Sequence, residues 1–592
     1  MSVVHYQLQI ADLSTHTLAI TLSFMPQEAE HRLELPSWIP GSYMIRNFAR
    51  HIMQIRAYDA NGELPLQQLD KQSWRLDCRN QTVTVEYQVY ANDLSVRAAY
   101  VDDEVAVLNP ACLCLAVSGL TELAQQFELP HPTQRVTKSW RVSTALPRLT
   151  GATLTSFGTF QAANYAQLID SPIVAGIFTL QQFSLDGVPH YVVVTGNNLF
   201  DEQRLLNDVA KLCQVQRDVF GALPEDLNQY WFLLWVTENG YGGLEHEFST
   251  LLLCNRNDLP VPSSLPNITM QADAYQNLLG LFSHEYFHTW WVKRLKPVCF
   301  HPYKLDKEQY SRQLWMYEGF TSYFDDLALV KSGLINQQRY LTTLEKLVSR
   351  VTRNPSEQVQ SLTDSSFTAW TKFYLQDENA INSVVSYYAK GALVALLLDA
   401  ELQRRGYSLA ALCRELYQQY LPTGTADSSI FSVLESWQLT ELAEALSVWI
   451  NSASPLPLEA GLAKIGLKLT WRSPQHFDDL SGSTEQPAVA SLGCSLKYQP
   501  NGVFIQQLYR GSAGHQAGLM SGDQLLALAG YKITESSLPL LMRRLPLDSE
   551  QALVIFRKDR LLTLQLPIKA PAGSVAMLAV TDDAGVKNWL EN

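Results

Sequence analysis

The chain reads as a multidomain α+β protein with a β-sandwich-like block first, a mixed β/helical block in the middle and a smaller β block last. Three observations predict this. Apolar residues alternate at Leu18, Ile20, Leu22 and Phe24 and again at Val83, Val85, Tyr87 and Val89, the period of half-buried strands. From about residue 171 short strand-like runs (Tyr191 to Thr195, Tyr230 to Val236, Phe248 to Cys254) lead into long helical stretches, among them Gln337 to Val351 and Tyr387 to Arg404. From about 456 the strand pattern returns, after Pro455-Leu456-Pro457, which suits a linker. The expected domains are therefore 1–170, 171–455 and 456–592. A chain of 592 residues has material for about three to four domains with full cores.

The chemistry-bearing elements lie in the middle block. Leu281-Phe282-Ser283-His284-Glu285-Tyr286-Phe287-His288 falls in an apolar stretch, Tyr275 to Val292, long enough for a buried helix with Gln271 to Asp273 as its polar lead-in. Residues four apart on a helix share a face, so His284 and His288 can hold one Zn²⁺ at about 2.0–2.1 Å each. Glu285, beside the first ligand, is placed to act as a general base on a metal-bound water. The helix-like Leu314 to Val330 carries Glu318, which offers the oxygen ligand of a His₂Glu site with a fourth position open. Alone the pentad also fits ordinary surface or core histidines. Two histidines and a glutamate on the buried side of an apolar helix are costly without a partner, however, and zinc provides one.

Two further segments refine this expectation. Thr237-Glu238-Asn239-Gly240-Tyr241-Gly242-Gly243-Leu244-Glu245-His246-Glu247 follows the buried strand, and its glycine-rich turn can run beside an extended substrate and lend it backbone hydrogen bonds. Gly242 and Gly243 would supply those bonds, and Glu245 a carboxylate for a substrate ammonium. Glu247, two residues on, would share its strand face and is the alternative anchor. Ser386-Tyr387-Tyr388-Ala389-Lys390-Gly391 opens the apolar helix Ala392 to Leu402, where the Tyr388 hydroxyl could donate to a tetrahedral oxyanion. Taken singly, the first segment reads equally as a β-turn and the second as an ordinary helix start.

Together, Gly242-Gly243-Leu244-Glu245-His246, His284-Glu285-x-x-His288, Trp315-x-x-Glu318-Gly319 and Tyr388-x-Lys390-Gly391 resemble, in order, the motifs of gluzincin aminopeptidases. The similarity is greatest to the glycyl aminopeptidase family, whose members carry a C-terminal PDZ domain. Leu35-Pro36-Ser37-Trp38-Ile39-Pro40-Gly41-Ser42-Tyr43, running on to His51, resembles that family's N-terminal signature. The resemblance implies a thermolysin-like catalytic domain with His284, His288 and Glu318 as zinc ligands. It also implies Glu285 as general base, Tyr388 as the transition-state tyrosine and Glu245 as the anchor of the free α-amino group. A preference for N-terminal Gly or Ala is implied too. The wider alanyl-type enzymes carry Asn where this chain has His246, and their gap corresponding to His288–Glu318 is shorter. The extra segment, Lys293 to Gln313, is expected at the rim of the site.

In the last block, Gly502-Val503-Phe504-Ile505, then Gly511 to Leu519, then Ser521-Gly522-Asp523 and Gln524 to Leu528 form a strand, a small-residue turn into a short helix, and a Gly-Asp turn into a second strand. That order looks like a PDZ domain, with Leu492-Gly493-Cys494-Ser495 as the loop that would cradle a peptide C-terminus. A small β domain that only packs on its neighbour has the same pattern.

Composition narrows the classes. A formal net charge of −13 argues against nonspecific nucleic-acid binding and against an anionic membrane surface. No apolar run reaches about 18 residues, so no transmembrane helix is expected. Met1 to Phe24 lacks a basic stretch followed by an apolar one, and the eight cysteines show no paired framework. Cys112 and Cys114 would share one strand face in the core. A cytoplasmic, reduced setting is the expectation. The leading functional reading is a zinc aminopeptidase acting on peptides with a free N-terminus. The alternatives are a PDZ-assisted zinc endopeptidase and a non-catalytic scaffold.

Overall fold

Period-two alternation sends every second side chain of the N-terminal strands inward. Leu18, Ile20, Leu22 and Phe24 on Thr17–Phe24, and Val83, Val85, Tyr87 and Val89 on Val83–Tyr90, are all buried. The two strands pair antiparallel, Leu18 opposite Val89 and Leu22 opposite Val85, within a seven-stranded sheet. Two four-stranded sheets complete this region. The computed structural model describes residues 3–150, 153–262, 272–484 and 486–591; Gln271 lies outside them. The chain forms two compact units, one of residues 1–309 with 417–425, the other of 310–416 with 426–592.

In the first unit a five-stranded sheet follows the β region. Its order is Phe178–Leu185, Val188–Thr195, Tyr230–Thr237, Ser249–Asn255 and, at the edge, Gly242–Glu245. The strands from Val188, Tyr230 and Ser249 run parallel, and the edge strand runs antiparallel, Gly243 opposite Leu252. Helix Glu202–Phe220 makes the first crossover. Asp201 caps it by accepting from the Arg204 amide at 3.0 Å, and Gly221 ends it at φ 86°, a left-handed turn that glycine adopts without strain. Tyr230–Val236 is buried at every position, as a central parallel strand must be. Core packing runs unbroken from the seven-stranded sheet to Trp231, Leu233, Trp235, Leu251 and Leu253, so the end of the N-terminal domain near residue 170 is not a gap in packing.

The second unit is built on helices Leu314–Lys331, Gln337–Thr352 and Ala389–Gln403. Its C-terminal part contains a six-stranded sheet with helices Ala513–Gln516 and Ser537–Arg544 and its own apolar core around Leu528, Leu553, Ile555, Leu566 and Ile568. Two pieces of the last 137 residues pack elsewhere in the unit. The ribbon of Leu467–Arg472 with Val575–Val580 docks on helix Gln337–Thr352 through the Ala576 amide to Ser349 Oγ (2.8 Å) and the Leu578 amide to Glu345 Oε1 (2.8 Å). Trp589, on the final helix, donates to the Tyr323 hydroxyl at 3.1 Å. The final helix thereby belongs to the helical core.

Candidate active site

Helix Ala272–Phe287 carries the pentad, and aromatic packing fixes its rotation. Phe282 meets Phe232 with ring centres 5.3 Å apart, and Tyr286 meets Tyr230 edge-on at 5.0 Å, which seats this face on the sheet. Ser283 accepts from Gln216 Nε2 at 2.7 Å, which ties the helix to the crossover helix. What remains facing away from these anchors is His284, Glu285 and His288.

The helix ends at Phe287, but the next turn keeps the one-turn spacing, and the two Nε2 atoms of His284 and His288 lie 3.2 Å apart. His288 Nδ1 sits 3.0 Å from the Trp291 carbonyl and donates to it. That bond leaves Nε2 of the neutral ring with a lone pair, the state a metal ligand needs. Two imidazole lone pairs aimed at one point repel unless a cation or proton lies between them. The donor set therefore fits Zn²⁺.

Glu285 is buried against the edge strand, and its carboxylate fills the place a Cβ on Gly243 would take. Gly243 is glycine because the Glu285 carboxylate needs the space. Gly242–Glu245, expected as a turn, forms a strand of its own. Its last residue, Glu245, is buried, and the ligand atoms of Glu245, Glu285 and His288 all lie within 4.8 Å of one another. Among the described residues Glu245 Oε1 has no hydrogen-bond partner. The N-terminal loop approaches from the other side. Gly41, at φ 92°, stands so close that a Cβ would overlap the Glu245 carboxylate.

Beneath Glu245 lies a buried charge cluster. Asp170 accepts from Lys293 Nζ at 2.7 Å, from His246 Nδ1 at 3.1 Å and from the Glu247 amide at 2.9 Å. Burial pushes the Asp170 carboxyl upward, but Lys293 and His246 outweigh it and hold it well below the usual carboxylate range. Burial likewise pulls Lys293 down, while Asp170 and Glu245 outweigh it and leave it raised. Glu247 lies in the bend after the edge strand, half-buried, so it does not share a strand face with Glu245. Its carboxyl is raised by burial and by Asp170. His246 is fully buried on Asp170. Lys293, from the segment expected at the rim, is instead part of the floor.

In the second unit Glu318 and Tyr388 come together through glycine. Gly319 and Gly391 face each other where helices Leu314–Lys331 and Ala389–Gln403 cross, and a Cβ on Gly319 would stand 2.5 Å from Gly391 backbone atoms. Glu318 is buried, and Tyr388 is the half-buried residue immediately before its helix. Tyr387, its neighbour, is fully buried and stacks on it with ring centres 4.8 Å apart. Burial first, then Glu318, pushes the Tyr388 hydroxyl well above its ordinary range and keeps it a donor. It lies 3.3 Å from the Tyr374 hydroxyl. Lys390 donates to Ser454 O (2.9 Å) and pairs with Glu357 (3.2 Å), which anchors this helix start.

Sequence reasoning missed Asp170, Lys293 and Arg97, whose Nη2 donates to the Gly243 carbonyl at 3.2 Å. None carries a local motif. Gly41 lay within the recognised signature, but its place against Glu245 had no sign there.

Comparison with known proteins agrees with this geometry. Residues 5–177 match the profile of the peptidase M61 N-terminal domain, and residues 277–394 that of M61 glycyl aminopeptidase. The structure is similar to an aminopeptidase N family protein from Idiomarina loihiensis, 39% identical, with a TM-score of 0.95 over 99% of this chain and 100% of that one. An M1 zinc metallopeptidase from Deinococcus radiodurans aligns at 11% identity and a TM-score of 0.48, over 77% of this chain and 95% of that one, too distant to carry an argument. A search of curated protein sequences finds no match. No helix among the described residues is long and apolar enough to cross a membrane. With both family profiles in their expected places and one homologous fold along its whole length, the chain belongs to the M61 glycyl aminopeptidase family, and it is a peptidase.

Proposed function

We propose that the protein is a zinc aminopeptidase that removes N-terminal residues, glycine or alanine by preference, from peptides with a free α-amino group. The observation that carries this reading is Glu245, a buried carboxylate whose Oε1 has no hydrogen-bond partner among the described residues and which stands within 4.8 Å of Glu285 and His288. Leaving such an oxygen unpaired costs on the order of 1–3 kcal/mol, and more for a charge. A substrate ammonium removes that cost. The preference for small first residues rests on the family. The close approach of Gly41 supports it, because a loop backbone that near the carboxylate narrows the space beside a bound ammonium.

His284, His288 and Glu318 would hold the metal. When bound, zinc supplies Lewis acidity and a water acidified toward pKa ~7. Glu245 fixes the amino end of the substrate, and the backbone of Gly242 to Glu245 aligns the extended chain. Glu285 accepts the proton of the attacking water and passes it to the leaving amine. Tyr388 donates its hydroxyl hydrogen bond to the carbonyl oxygen as charge develops there, a contact worth roughly 2.7–4 kcal/mol in comparable sites. The Trp291 carbonyl holds the His288 ring in its tautomer.

For the other modules we keep the domains 1–170, 171–455 and 456–592, a thermolysin-like catalytic domain and a PDZ-like C-terminal domain. Cys494–Gln499 is an edge strand of the C-terminal sheet and takes in the last two residues of Leu492-Gly493-Cys494-Ser495; the open edge supports a role in binding a peptide C-terminus. Eight unpaired cysteines suit a reducing, cytoplasmic setting.

The test is hydrolysis of Gly-, Ala- and Leu-arylamides beside an N-acetylated peptide, with and without chelator. The expected result is chelator-sensitive cleavage of the arylamides alone. Glu245→Ala should lose on the order of 2–5 kcal/mol of transition-state stabilisation on the arylamides, with Glu247→Ala as control. Equal losses on free and blocked substrates in Glu245→Ala would mean that Glu245 supports the metal site or the fold instead, and the exopeptidase reading would lose its main support.

A further inference from the structure

Arg97 belongs to the N-terminal β region, yet its side chain ends on the catalytic sheet. Its Nη2 donates to the Gly243 carbonyl at 3.2 Å, and Nη1 lies 3.6 Å from where a Cβ on Gly242 would be. No carboxylate among the described residues pairs with it, and its Nε is buried without a hydrogen-bond partner. Buried Arg294 of this unit pairs with Asp226, whereas half-buried Arg141 and Arg148 donate to backbone carbonyls. Among the described residues the guanidinium of Arg97, with its five donors, therefore meets one neutral acceptor. That arrangement is costly unless an anion arrives.

Its register says where that anion would sit. Gly242–Glu245 is the edge strand and, among the described residues, pairs with Ser249–Asn255 alone. On the aminopeptidase reading, on which this inference rests, the substrate ammonium lies at Glu245. Extended chain advances about 3.3 Å per residue, so Gly243 and Gly242 lie roughly 7–10 Å from that end, level with the second and third residues of a bound peptide. We propose that Arg97 is a specificity-determining residue that binds a substrate carboxylate at this distance. The C-terminus of a di- or tripeptide supplies one, and so does an acidic second side chain. Arg97 and Glu245 would then measure a peptide by its two charged ends, with a planar fork suited to a carboxylate.

The test compares kcat/KM of the zinc-loaded enzyme on Ala-Ala, Ala-Ala-amide and Ala-Asp-amide, with Ala-arylamide as the reference. The wild type should favour Ala-Ala over its amide by about tenfold or more, as one charge-assisted contact provides. Arg97→Gln should bring that ratio close to one, and Arg97→Lys should restore part of it. A preference for Ala-Asp-amide that is lost in the same variants assigns the carboxylate to the side chain and also supports the role. If Arg97→Gln slows acid and amide equally and keeps their ratio, Arg97 only supports the Gly243 strand and the proposal is wrong. Turnover of Ala-arylamide by wild type with neither an acid-over-amide preference nor a preference for Ala-Asp-amide overturns the Arg97 role alone. Absence of arylamide turnover overturns the aminopeptidase reading with it.

Discussion

Glu285 is pressed so closely on Gly243 that the carboxylate has one place to be, over the region where His288 and Glu245 converge. Glutamine is isosteric there but accepts no proton. Glu285→Gln is therefore expected to bind zinc stoichiometrically and to lose at least about 10²–10⁴-fold in kcat, measured by metal analysis and steady-state kinetics on one preparation. Activity retained at full zinc content would remove Glu285 from the base role. Tyr388 and Tyr387 are adjacent and their rings stack, yet only Tyr388 is half-exposed. Tyr388→Phe should lower kcat much more than it raises KM, because its hydrogen bond strengthens in the transition state. A kinetic defect in Tyr387→Phe with none in Tyr388→Phe would reverse the assignment. At this scale the sequence was informative for residues set by local periodicity, such as His284 and His288. It was silent on Asp170, which reaches His246 and Lys293 from 76 and 123 positions away.

The helix pair Leu314–Lys331 and Ala389–Gln403 meets through Gly319 and Gly391, and a Cβ on Gly391 would lie 2.6 Å from the Trp315 carbonyl oxygen and 2.9 Å from Gly319 Cα. Backbone cannot swing aside as a flexible side chain does. Gly391→Ala is expected to cost about 1–3 kcal/mol through overpacking. It should also lower kcat, since Glu318 and Tyr388 flank the crossing. Thermal melts with kinetics check this; an unchanged melting temperature and rate would show that the helices separate freely. Element types were largely legible: the N-terminal alternation, the fully buried run Tyr230–Val236 and the long helices all appear where the periodicity put them. Gly242–Glu245 was not, because four residues with two glycines carry no strand signal until Ser249–Asn255 pairs with them.

In the first unit His190 joins the five-stranded sheet to the pentad helix. It stacks on Phe183 at 4.9 Å, donates through Nδ1 to the Val188 carbonyl at 3.0 Å and accepts at Nε2 from the Tyr286 hydroxyl at 2.8 Å. Burial pulls its pKa down to about 4, against a partial upward push from the Val188 hydrogen bond. The unfolded chain titrates near 6.5. Its contribution is therefore whole above about pH 6.5 and is lost as pH falls through about 4, up to about 3 kcal/mol. Melting temperatures of wild type and His190→Gln should converge as pH is lowered from 7 to 4.5. Parallel decline would place the acid sensitivity elsewhere. On the same scale, chelation of the whole enzyme should abolish turnover and zinc should restore it, with a lower melting temperature in between.

The sequence by itself determined the block order, the helix bearing His284, Glu285 and His288, and the motif set that places the chain in its family. These follow from periods of two and 3.6 residues and from spacings within one element. Only the tertiary structure decided that Gly41 closes on Glu245, that Glu247 bends away from it, and that Asp170 and Lys293 form the floor. It also decided that Arg97 reaches the Gly242–Glu245 strand with no carboxylate partner among the described residues and that the C-terminal helix joins the helical core. Each of those joins residues distant in the chain. Such contacts arise from burial and from charges seeking partners once the sheets have packed, and no local pattern encodes them.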